Sequence, residues 1–237
     1  MPSDIFAFKM KKINIALDGY SGTGKSSTAK EVASQLGYTY LDSGAMYRAV
    51  TLYFLEHDVD LKDLNGVIRA LDLIDITFQY GDQNQKFETC LNGKNVEKDI
   101  REMRISENVS AVSAISEVRE KLVAIQRKLG ENKGIVMDGR DIGTVVFPEA
   151  ELKVFLTADM EVRAERRRKE LEEKGITASL VEIMGNLKER DRVDSSRQIS
   201  PLTKATDAIE LDTTALNFQD QVAKVVQLAR ERMEQLI

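Results

Sequence analysis

The amino-acid sequence predicts an α/β fold of three layers, in which helices flank both faces of a five-stranded parallel sheet. Apolar segments typical of buried strands alternate with segments whose apolar residues recur at helical spacing. A glycine-rich loop joins the first strand to the first helix, and polar residues follow several later strands. Ligands of such sheets bind outside the carboxyl ends of the strands, so this edge is predicted to carry the functional site.

The strands of the main sheet are short and mostly apolar. They are predicted at residues 12–18, 38–41, 135–138, 152–156 and 208–211. Helical spacing predicts helices at residues 29–36, 46–54, 64–74, 105–129 and 218–229. The fourth of these helices is predicted to break near Ser116. Because helices separate the strands, the sheet is predicted to be parallel.

Residues 75–101 differ from the rest of the chain in their pattern of short β-rich runs and turn residues. Two β-rich runs, 76–80 and 86–91, are each followed by turn residues, and Asn92 precedes a glycine. An Asn-Gly pair between extended segments is a strong hairpin signal. Residues 95–96 add a third short strand, so this part of the chain is predicted to form a small antiparallel insert.

The glycine-rich loop matches G-x-x-x-x-G-K-[ST], the phosphate-binding motif of nucleoside triphosphate enzymes. Glycines let main-chain N–H groups converge on one anion, and the helix that follows adds its dipole. Lys25 would add a full positive charge, and the Ser26 hydroxyl would bind Mg²⁺. The fold is therefore predicted to be that of the P-loop NTPases. The predicted ATP-binding residues of the loop are Gly19, Tyr20, Ser21, Gly22, Thr23, Gly24, Lys25, Ser26 and Ser27.

Composition excludes several classes of protein. The 237 residues carry a net charge of −5, which argues against a general binder of nucleic acid or of membrane surfaces. Cys90 is the single cysteine, so no intrachain disulfide is possible. No stretch reaches the roughly 20 apolar residues of a membrane span, and the first residues lack the features of a signal peptide. We expect a soluble, cytoplasmic protein, with nothing that demands a dimer.

Asp138 and Arg140 follow the third strand of the main sheet directly. A carboxylate at this place would organise Mg²⁺ or its waters beside a phosphate loop, and a guanidinium would bind a phosphate through two hydrogen bonds. The alternative is a salt-bridged surface turn. The position after a buried strand favours a functional role for both residues.

Four arginines, at positions 163, 166, 167 and 168, fall on one predicted helix with a thin apolar face. Arg163 and Arg167 are spaced i, i+4, where like charges repel unless an anion lies between them. This pattern predicts a mobile lid that closes over ATP. A solvated helix, with nearby glutamates as partners, explains the pattern equally well.

Two further sets of residues belong to the predicted site. Arg190, Asp194 and Arg197 recur at i, i+4 and i+7, which makes either a surface salt bridge or a stripe that holds ribose and phosphate. Arg48 lies one turn into the helix after the second strand and is predicted to face the cleft. Ser43 is placed to cap the start of that helix.

Four segments together resemble the bacterial cytidylate kinase family. They are residues 19–26, 41–48, 138–148 and 188–191, in the order that the family has them. The resemblance runs from about residue 11 to the C-terminus, and the β insert is similar to the extra piece of the family's long form. It departs from the family at residues 192–193 and 195–196, which concerns contacts on the lid side.

The resemblance implies one kinase domain over residues 1–237, in three parts. The core would comprise about 11–43, 119–157 and 180–237. The monophosphate-binding region with the insert would be about 44–118, and the lid about 158–179.

The resemblance also implies transfer of the γ-phosphoryl group of ATP to CMP or dCMP with Mg²⁺. Ser110, Arg119 and Asp141 would read the cytosine base, whose edge offers both donor and acceptor atoms. The implied catalytic residues are Lys25, Arg140 and Arg190, with Arg163 and Arg167 as lid-side contacts to ATP. The full CMP-binding set would be Ser43, Arg48, Ser110, Arg119, Asp138, Arg140, Asp141, Asp194 and Arg197.

Three alternatives arise from the residues alone, of which the first is discounted and the other two stay open. A GTPase-like switch would need an Asn-Lys-x-Asp motif, and the run that begins at Asn132 lacks the aspartate. Another small-molecule kinase, for UMP, AMP or a coenzyme precursor, would use the same loop. A nucleotide-binding module without kinase activity would bind ATP and turn over no acceptor.

Overall fold

A computed structural model describes residues 11–81, 86–173 and 175–236 of the chain. The strands are β1 Asn14–Gly19, β2 Thr39–Asp42, β3 Ile76–Gly81, β4 Lys86–Leu91, β5 Lys94–Asn95, β6 Ile135–Asp138, β7 Leu152–Thr157 and β8 Ile209–Asp212. The helices are α1 Lys25–Leu36, α2 Ser43–Glu56, α3 Leu64–Asp72, α4 Met103–Ser113, α5 Ser116–Leu129, α6 Met160–Glu173, α7 Leu180–Ser196 and α8 Phe218–Glu234.

The main sheet has five parallel strands in the order β2-β6-β1-β7-β8, which confirms the predicted architecture. β1 lies at the centre, and all six of its residues are buried. Asp42 and Asp138 are register partners at the carboxyl ends of β2 and β6, and Gly19 pairs with Leu156 on β7. The carboxyl ends of these strands therefore share the edge from which the glycine-rich loop departs.

Helices cover both faces of this sheet because alternate residues of a strand point to opposite sides. On one face, Ile15 and Leu17 of β1 belong to a core with Val32 of α1 and Val225 of α8. On the other face, Ala16 belongs to a core that includes residues of α5. These two cores hold the main sheet between α1 on one face and α5 on the other.

The insert forms a second, antiparallel sheet in the order β3-β4-β5, as predicted. A third core joins it to α2, α3, α4 and α5, with Leu91 of β4 packed against the side chains of the helices. Helices α6 and α7 share a much smaller cluster around Ala164, Ile183 and Leu187. Because this last cluster buries so few apolar residues, α6 and α7 depend on polar contacts for their placement.

Of two local predictions about the helices, one is confirmed and one is wrong. The break near Ser116 is confirmed, since α4 ends at Ser113 and α5 begins at Ser116. The prediction that Ser43 caps α2 is wrong, because the Asp42 side chain accepts the Ala45 N–H at 2.9 Å and Ser43 is the first helical residue. In the part of the chain that is described, no helix is long and apolar enough to span a membrane.

Candidate active site

A cavity of about 410 Å³ opens at the carboxyl edge of the main sheet. Its lining contains the glycine-rich loop together with residues from α2, α4, α5, α6 and α7. The predicted site residues that line it are Ser21, Gly22, Gly24, Lys25, Ser26, Ser27, Ser43, Arg48, Ser110, Arg119, Asp138, Arg140, Asp141, Arg167, Arg190, Asp194 and Arg197. The fold therefore brings the loop and most of the predicted acceptor residues to one place.

Backbone geometry explains the glycines of the loop. A Cβ atom on Gly19 would lie 2.1 Å from the Leu156 carbonyl oxygen on the neighbouring strand, so no side chain fits there. Gly24 has a φ of 86°, a left-handed conformation that favours glycine, and α1 begins at the next residue. The start of α1, with its N–H groups and its dipole, therefore faces the cavity as an anion site.

Lys25 is buried at the first position of α1, and its Nζ atom donates to the Tyr20 carbonyl oxygen at 2.5 Å. Burial lowers the pKa of Lys25 well below its ordinary value, and the positive charge of Arg140 lowers it further. The Asp138 carboxylate acts in the opposite direction. An anionic phosphate beside Lys25 would favour the charged ammonium.

Asp138 organises the floor of the cavity. One carboxylate oxygen accepts from the Ser26 hydroxyl at 2.7 Å and the other from the Tyr40 hydroxyl at 2.8 Å, while the Ser43 hydroxyl donates to the Asp138 carbonyl at 2.6 Å. Burial raises the pKa of Asp138, and the negative charge of Asp42 raises it further. A divalent cation here would reverse that shift.

The oxygen atoms of Ser26 and Asp138 fit the requirements of Mg²⁺. Both are hard ligands, they are adjacent, and both residues line the cavity. In residues 11–81, 86–173 and 175–236 no group of three or more His, Cys, Asp or Glu side chains forms a metal site. Mg²⁺ needs no such group, because it binds through one or two protein ligands together with phosphate oxygens and waters.

Asp42 joins two arginines at the wall formed by α2. Its carboxylate accepts from Arg48 at 2.9 Å and from Arg101 at 3.0 Å, and Arg101 also binds Glu97 at 2.8 Å. Burial tends to raise the pKa of Asp42, but the charges of the two arginines outweigh it and the pKa is lowered. Arg101 belongs to a short 3₁₀ helix, Asp99–Arg101, at the end of the insert.

Arg119 and Asp141 form a buried ion pair across the cavity wall. Arg119 also donates to the Ser113 carbonyl oxygen at 3.2 Å, and its guanidinium lies 5.4 Å from the centre of the Tyr47 ring. Burial and the Asp141 charge raise the pKa of Tyr47 to about 12, so its hydroxyl stays protonated. Ser110 lines the same cavity, so all three residues predicted to read the base border one space.

Arg140 links the loop to α7. Its Nε donates to Asp194 at 2.7 Å, and one Nη donates to the Ser21 hydroxyl at 2.8 Å. Burial, and then the charge of Arg140, lower the pKa of Arg190 to about 10, so it remains a cation at neutral pH. An accumulation of guanidinium groups around one cavity is the electrostatic signature of an anion site.

Several of these cations carry donors that the protein leaves unused. The Nε atoms of Arg48, Arg119 and Arg197 are buried without a hydrogen-bond partner among the described residues. Buried donors without partners are rare in folded proteins, and each calls for an explanation. All three residues line the cavity, where an anionic ligand would supply a partner; the Nε of Arg163 is buried without a described partner as well, but Arg163 does not line the cavity.

Comparison with known sequences identifies the family of this chain. A sequence model described as cytidylate kinase matches residues 15–231. A protein named cytidylate kinase from Cytophaga hutchinsonii is 50% identical over 227 residues, which cover 96% of this chain and 97% of that protein. The chain belongs to the cytidylate kinase family. A family member from Bacteroides thetaiotaomicron is 52% identical over 90% of this chain and 94% of its own length.

Solved structures agree with the fold. A crystal structure of an uncharacterized protein from Eubacterium ventriosum matches with a TM-score of 0.50 at 11% sequence identity. The match covers 93% of this chain and 99% of that one. At this identity the likeness concerns the fold alone.

Four of the residues expected to bind ATP do not line the cavity of this cytidylate kinase family member. They are Gly19, Tyr20, Thr23 and Arg163. Thr23 donates from its hydroxyl to the Tyr20 carbonyl at 3.0 Å, a bond within the loop. Arg163 is buried and contacts the loop rather than the cavity. Their roles toward ATP stay predictions.

Other lining residues were missed by the sequence reasoning. Arg101 lies at the boundary assigned to the insert, and Tyr47 stands beside Arg48 within a motif that was recognised. The missed lining residues are Asp42, Gly44, Tyr47, Arg101, Ser106, Val109, Ser113, Gly139, Glu170 and Leu187. The run 41–48 was a signal for the first three, whereas no local pattern marks Arg101 or the residues of α4.

Proposed function

We propose that this protein transfers the γ-phosphoryl group of ATP to CMP or dCMP, and so forms ADP and CDP or dCDP. One observation carries the proposal: the glycine-rich loop and the Arg119–Asp141 pair line the same cavity. Membership of the cytidylate kinase family supports the same reaction. A donor triphosphate at the loop and a monophosphate at the arginines would lie end to end.

The reaction needs alignment and charge neutralisation rather than a covalent intermediate. An oxygen of the CMP phosphate is already ionised at neutral pH and attacks the γ-phosphorus in line. Lys25 would stabilise the β- and γ-oxygens, while Arg140 and Arg190 would neutralise charge on the transferred group. Arg48 and Arg197 would hold the acceptor phosphate, and no general base is required.

Recognition of cytosine would fall to the buried pair beside Ser110. A carboxylate accepts the amino hydrogens of cytosine, and a guanidinium donates to its ring nitrogen and carbonyl oxygen. Uracil presents the opposite pattern at two of these atoms. The Asp141–Arg119 arrangement therefore favours CMP over UMP, and Asp194 would meet the sugar.

Mg²⁺ would be held by the Ser26 hydroxyl directly and by Asp138 directly or through water. When bound, it neutralises charge on the phosphate oxygens and fixes their orientation. Tyr40 keeps Asp138 turned toward Ser26, since its hydroxyl donates to the second carboxylate oxygen. Arg167, which lines the cavity from α6, would contact ATP from the lid.

We further propose that the protein acts in the cytoplasm as a monomer, with no nucleic acid or membrane as partner. ATP and CMP are small metabolites, and one chain supplies both predicted substrate sites. Sedimentation with and without the two nucleotides would test the oligomeric state.

The decisive experiment offers ATP and Mg²⁺ with each of CMP, dCMP, UMP, AMP and GMP, and measures ADP release. We expect CMP and dCMP to give the highest kcat/KM, with UMP at least about 10-fold lower because the base edge is mismatched. Preference for UMP or AMP would indicate another nucleotide kinase. ATP binding without turnover of any acceptor would indicate a binding module.

A further inference from the structure

The main chain of Ser21, in the phosphate loop, is held by two side chains that do not line the cavity. The Ser21 N–H donates to Asp191 at 3.1 Å, and the Ser21 carbonyl accepts from Arg163 at 3.1 Å. Arg163 comes from α6 and Asp191 from α7. Their side chains are only 8% and 13% exposed, so solvent competes little with these bonds.

Arg163 and Asp191 also bind each other, with 2.5 Å between Nη1 and the second carboxylate oxygen. Hydrogen bonds between ionised partners are roughly twice as strong as neutral ones. The Arg163 guanidinium also lies 5.4 Å from the centre of the Tyr20 ring, within range of a cation–π attraction. Loop, α6 and α7 are thus joined at one point through Ser21, Arg163 and Asp191, while the Nε of Arg163 has no partner among the described residues.

Gly22 allows α6 to come this close to the loop. A Cβ atom on Gly22 would lie 3.1 Å from both the Cβ atom and the carbonyl oxygen of Arg163, which is tighter than ordinary contact. Gly22 also has a φ of 79°, which disfavours any other residue. Replacement of this glycine would push the helix and the loop apart.

We propose that Arg163 and Asp191 are positioning residues, which fix the main chain of the phosphate loop in the shape that binds ATP. All the observed contacts of Arg163 point to the loop and to Asp191, whereas Arg167, one turn further along α6, lines the cavity. Arg163 then acts on ATP through the loop and not by contact. The inference rests on the proposed function only in that ATP is the ligand of the loop.

The test measures ATP affinity directly, by calorimetry with a non-hydrolysable ATP analogue and Mg²⁺, and CMP affinity separately. Asp191→Ala removes both acceptors, and we expect the Kd for the analogue to rise about 10-fold or more. We expect the Kd for CMP to change less than about 3-fold, because Asp191 does not line the cavity. Asp191→Asn keeps an oxygen for the Ser21 N–H and should lose less affinity than Asp191→Ala.

A second variant covers the possibility that Asp191→Ala unfolds, since it leaves a buried arginine without its carboxylate. Arg163→Met with Asp191→Asn removes both charges together and keeps similar volumes. We expect this double variant to fold, to lose ATP affinity about 10-fold because the hydrogen bond to the Ser21 carbonyl and the charge pair are gone, and to keep its affinity for CMP.

Two controls separate positioning from general stability. Glu189→Gln disrupts an exposed pair with Arg192 on the same helix, so neither affinity should change. Asn14→Ala removes a buried bond to the Gly130 carbonyl, 2.8 Å long, at the far end of β1. It should lower the melting temperature and leave ATP affinity within about 2-fold.

The proposal is overturned if the folded variants bind the ATP analogue as tightly as the unmodified protein. It is also overturned if they lose ATP and CMP affinity equally, or if Asn14→Ala weakens ATP binding as much as they do. These results are independent of the acceptor panel. If the unmodified protein turned over no CMP and Asp191→Ala lost ATP binding, the proposed function would be refuted and the positioning role supported.

Discussion

The two halves of the cavity would bind their predicted anions by different means. The donor half consists of a glycine loop and the first turn of α1, so its binding groups are mostly main-chain N–H groups from one short segment. The acceptor half consists of guanidinium groups that α2, α5, α7 and the segments after β5 and β6 bring together. Its arginines are paired with carboxylates, as in Arg48–Asp42, Arg119–Asp141 and Arg140–Asp194.

This difference has consequences for specificity and robustness. A main-chain site would bind any triphosphate and tolerate changes in its side chains, apart from the glycines, Lys25 and Ser26. A site built from side-chain pairs reads the shape and hydrogen-bonding pattern of its ligand, but each pair depends on packing from two distant segments. We therefore expect substitutions in the donor half to affect turnover and those in the acceptor half to affect affinity and selectivity.

The largest effect is expected for Lys25→Ala in the donor half. The ammonium would stabilise charge that develops in the transition state, so its removal should lower kcat by about 1,000-fold. Steady-state ADP release with saturating ATP and CMP measures this change. Lys30→Ala, on the same helix but exposed, is the matched control and should keep kcat within about 2-fold. Near-normal kcat in Lys25→Ala would remove Lys25 from the mechanism.

In the acceptor half, Asp141→Ala should raise the KM for CMP by about 100-fold and the KM for ATP by less than about 3-fold. Loss of the carboxylate removes an acceptor for the base and leaves the buried Arg119 without its partner, which typically costs a few kcal/mol. Initial rates against each substrate in turn give the two KM values. An equal loss for ATP and CMP would mean that Asp141 does not read the base.

Asp18 connects the two halves and gives a prediction that pH can test. It is the last residue but one of β1, and its carboxylate accepts the N–H groups of Ile142 and Gly143 at 2.8 and 2.7 Å. These residues begin the π-helical turn Ile142–Val146 that follows Asp141. Burial raises the pKa of Asp18 from its ordinary value of 3.8 to about 6.

A raised carboxyl pKa means that the folded state binds the proton more tightly than the unfolded state. The free energy of unfolding should therefore fall as pH rises from roughly 4 through 6, by up to about 3 kcal/mol from this group. In Asp18→Asn that contribution should be absent. Urea unfolding of both proteins across this range measures the difference, in which groups common to both cancel. Parallel pH profiles would show that Asp18 titrates normally.

The donor half was predictable from the sequence because its groups are contiguous. One motif, with a strand before it and a helix after it, gave the position of Lys25, Ser26 and the glycines. Periodicity gave the sheet and its flanking helices, including the break between α4 and α5. What failed was the cap of α2, where Asp42 and Ser43 are adjacent and both suit the position.

The acceptor half was predictable only where the chain resembles a family with known site residues. No local pattern marks Ser110 or Arg119 as a site residue, since each is one of several polar residues on an amphipathic helix. Arg163 shows a different limit: its spacing with Arg167 suggested a shared ligand, whereas its side chain is buried in a pair with Asp191, so its role toward ATP stays a prediction. Only tertiary contacts decide which arginines of a cluster face the cavity.

Arg101 best shows what the tertiary structure adds to the sequence motifs, because no motif indicated it and the fold brings it to the cavity. It competes with Arg48 for the same Asp42 oxygen, so its removal should leave Arg48 more tightly held by the carboxylate and less free for a phosphate. We expect Arg101→Ala to raise the KM for CMP by about 10-fold with little change for ATP, as initial rates would show. Arg104→Ala, three residues on and paired only with the exposed Glu102 among its described ion-pair partners, should change neither. If the two variants behave alike, Arg101 does not control how Arg48 meets the acceptor phosphate.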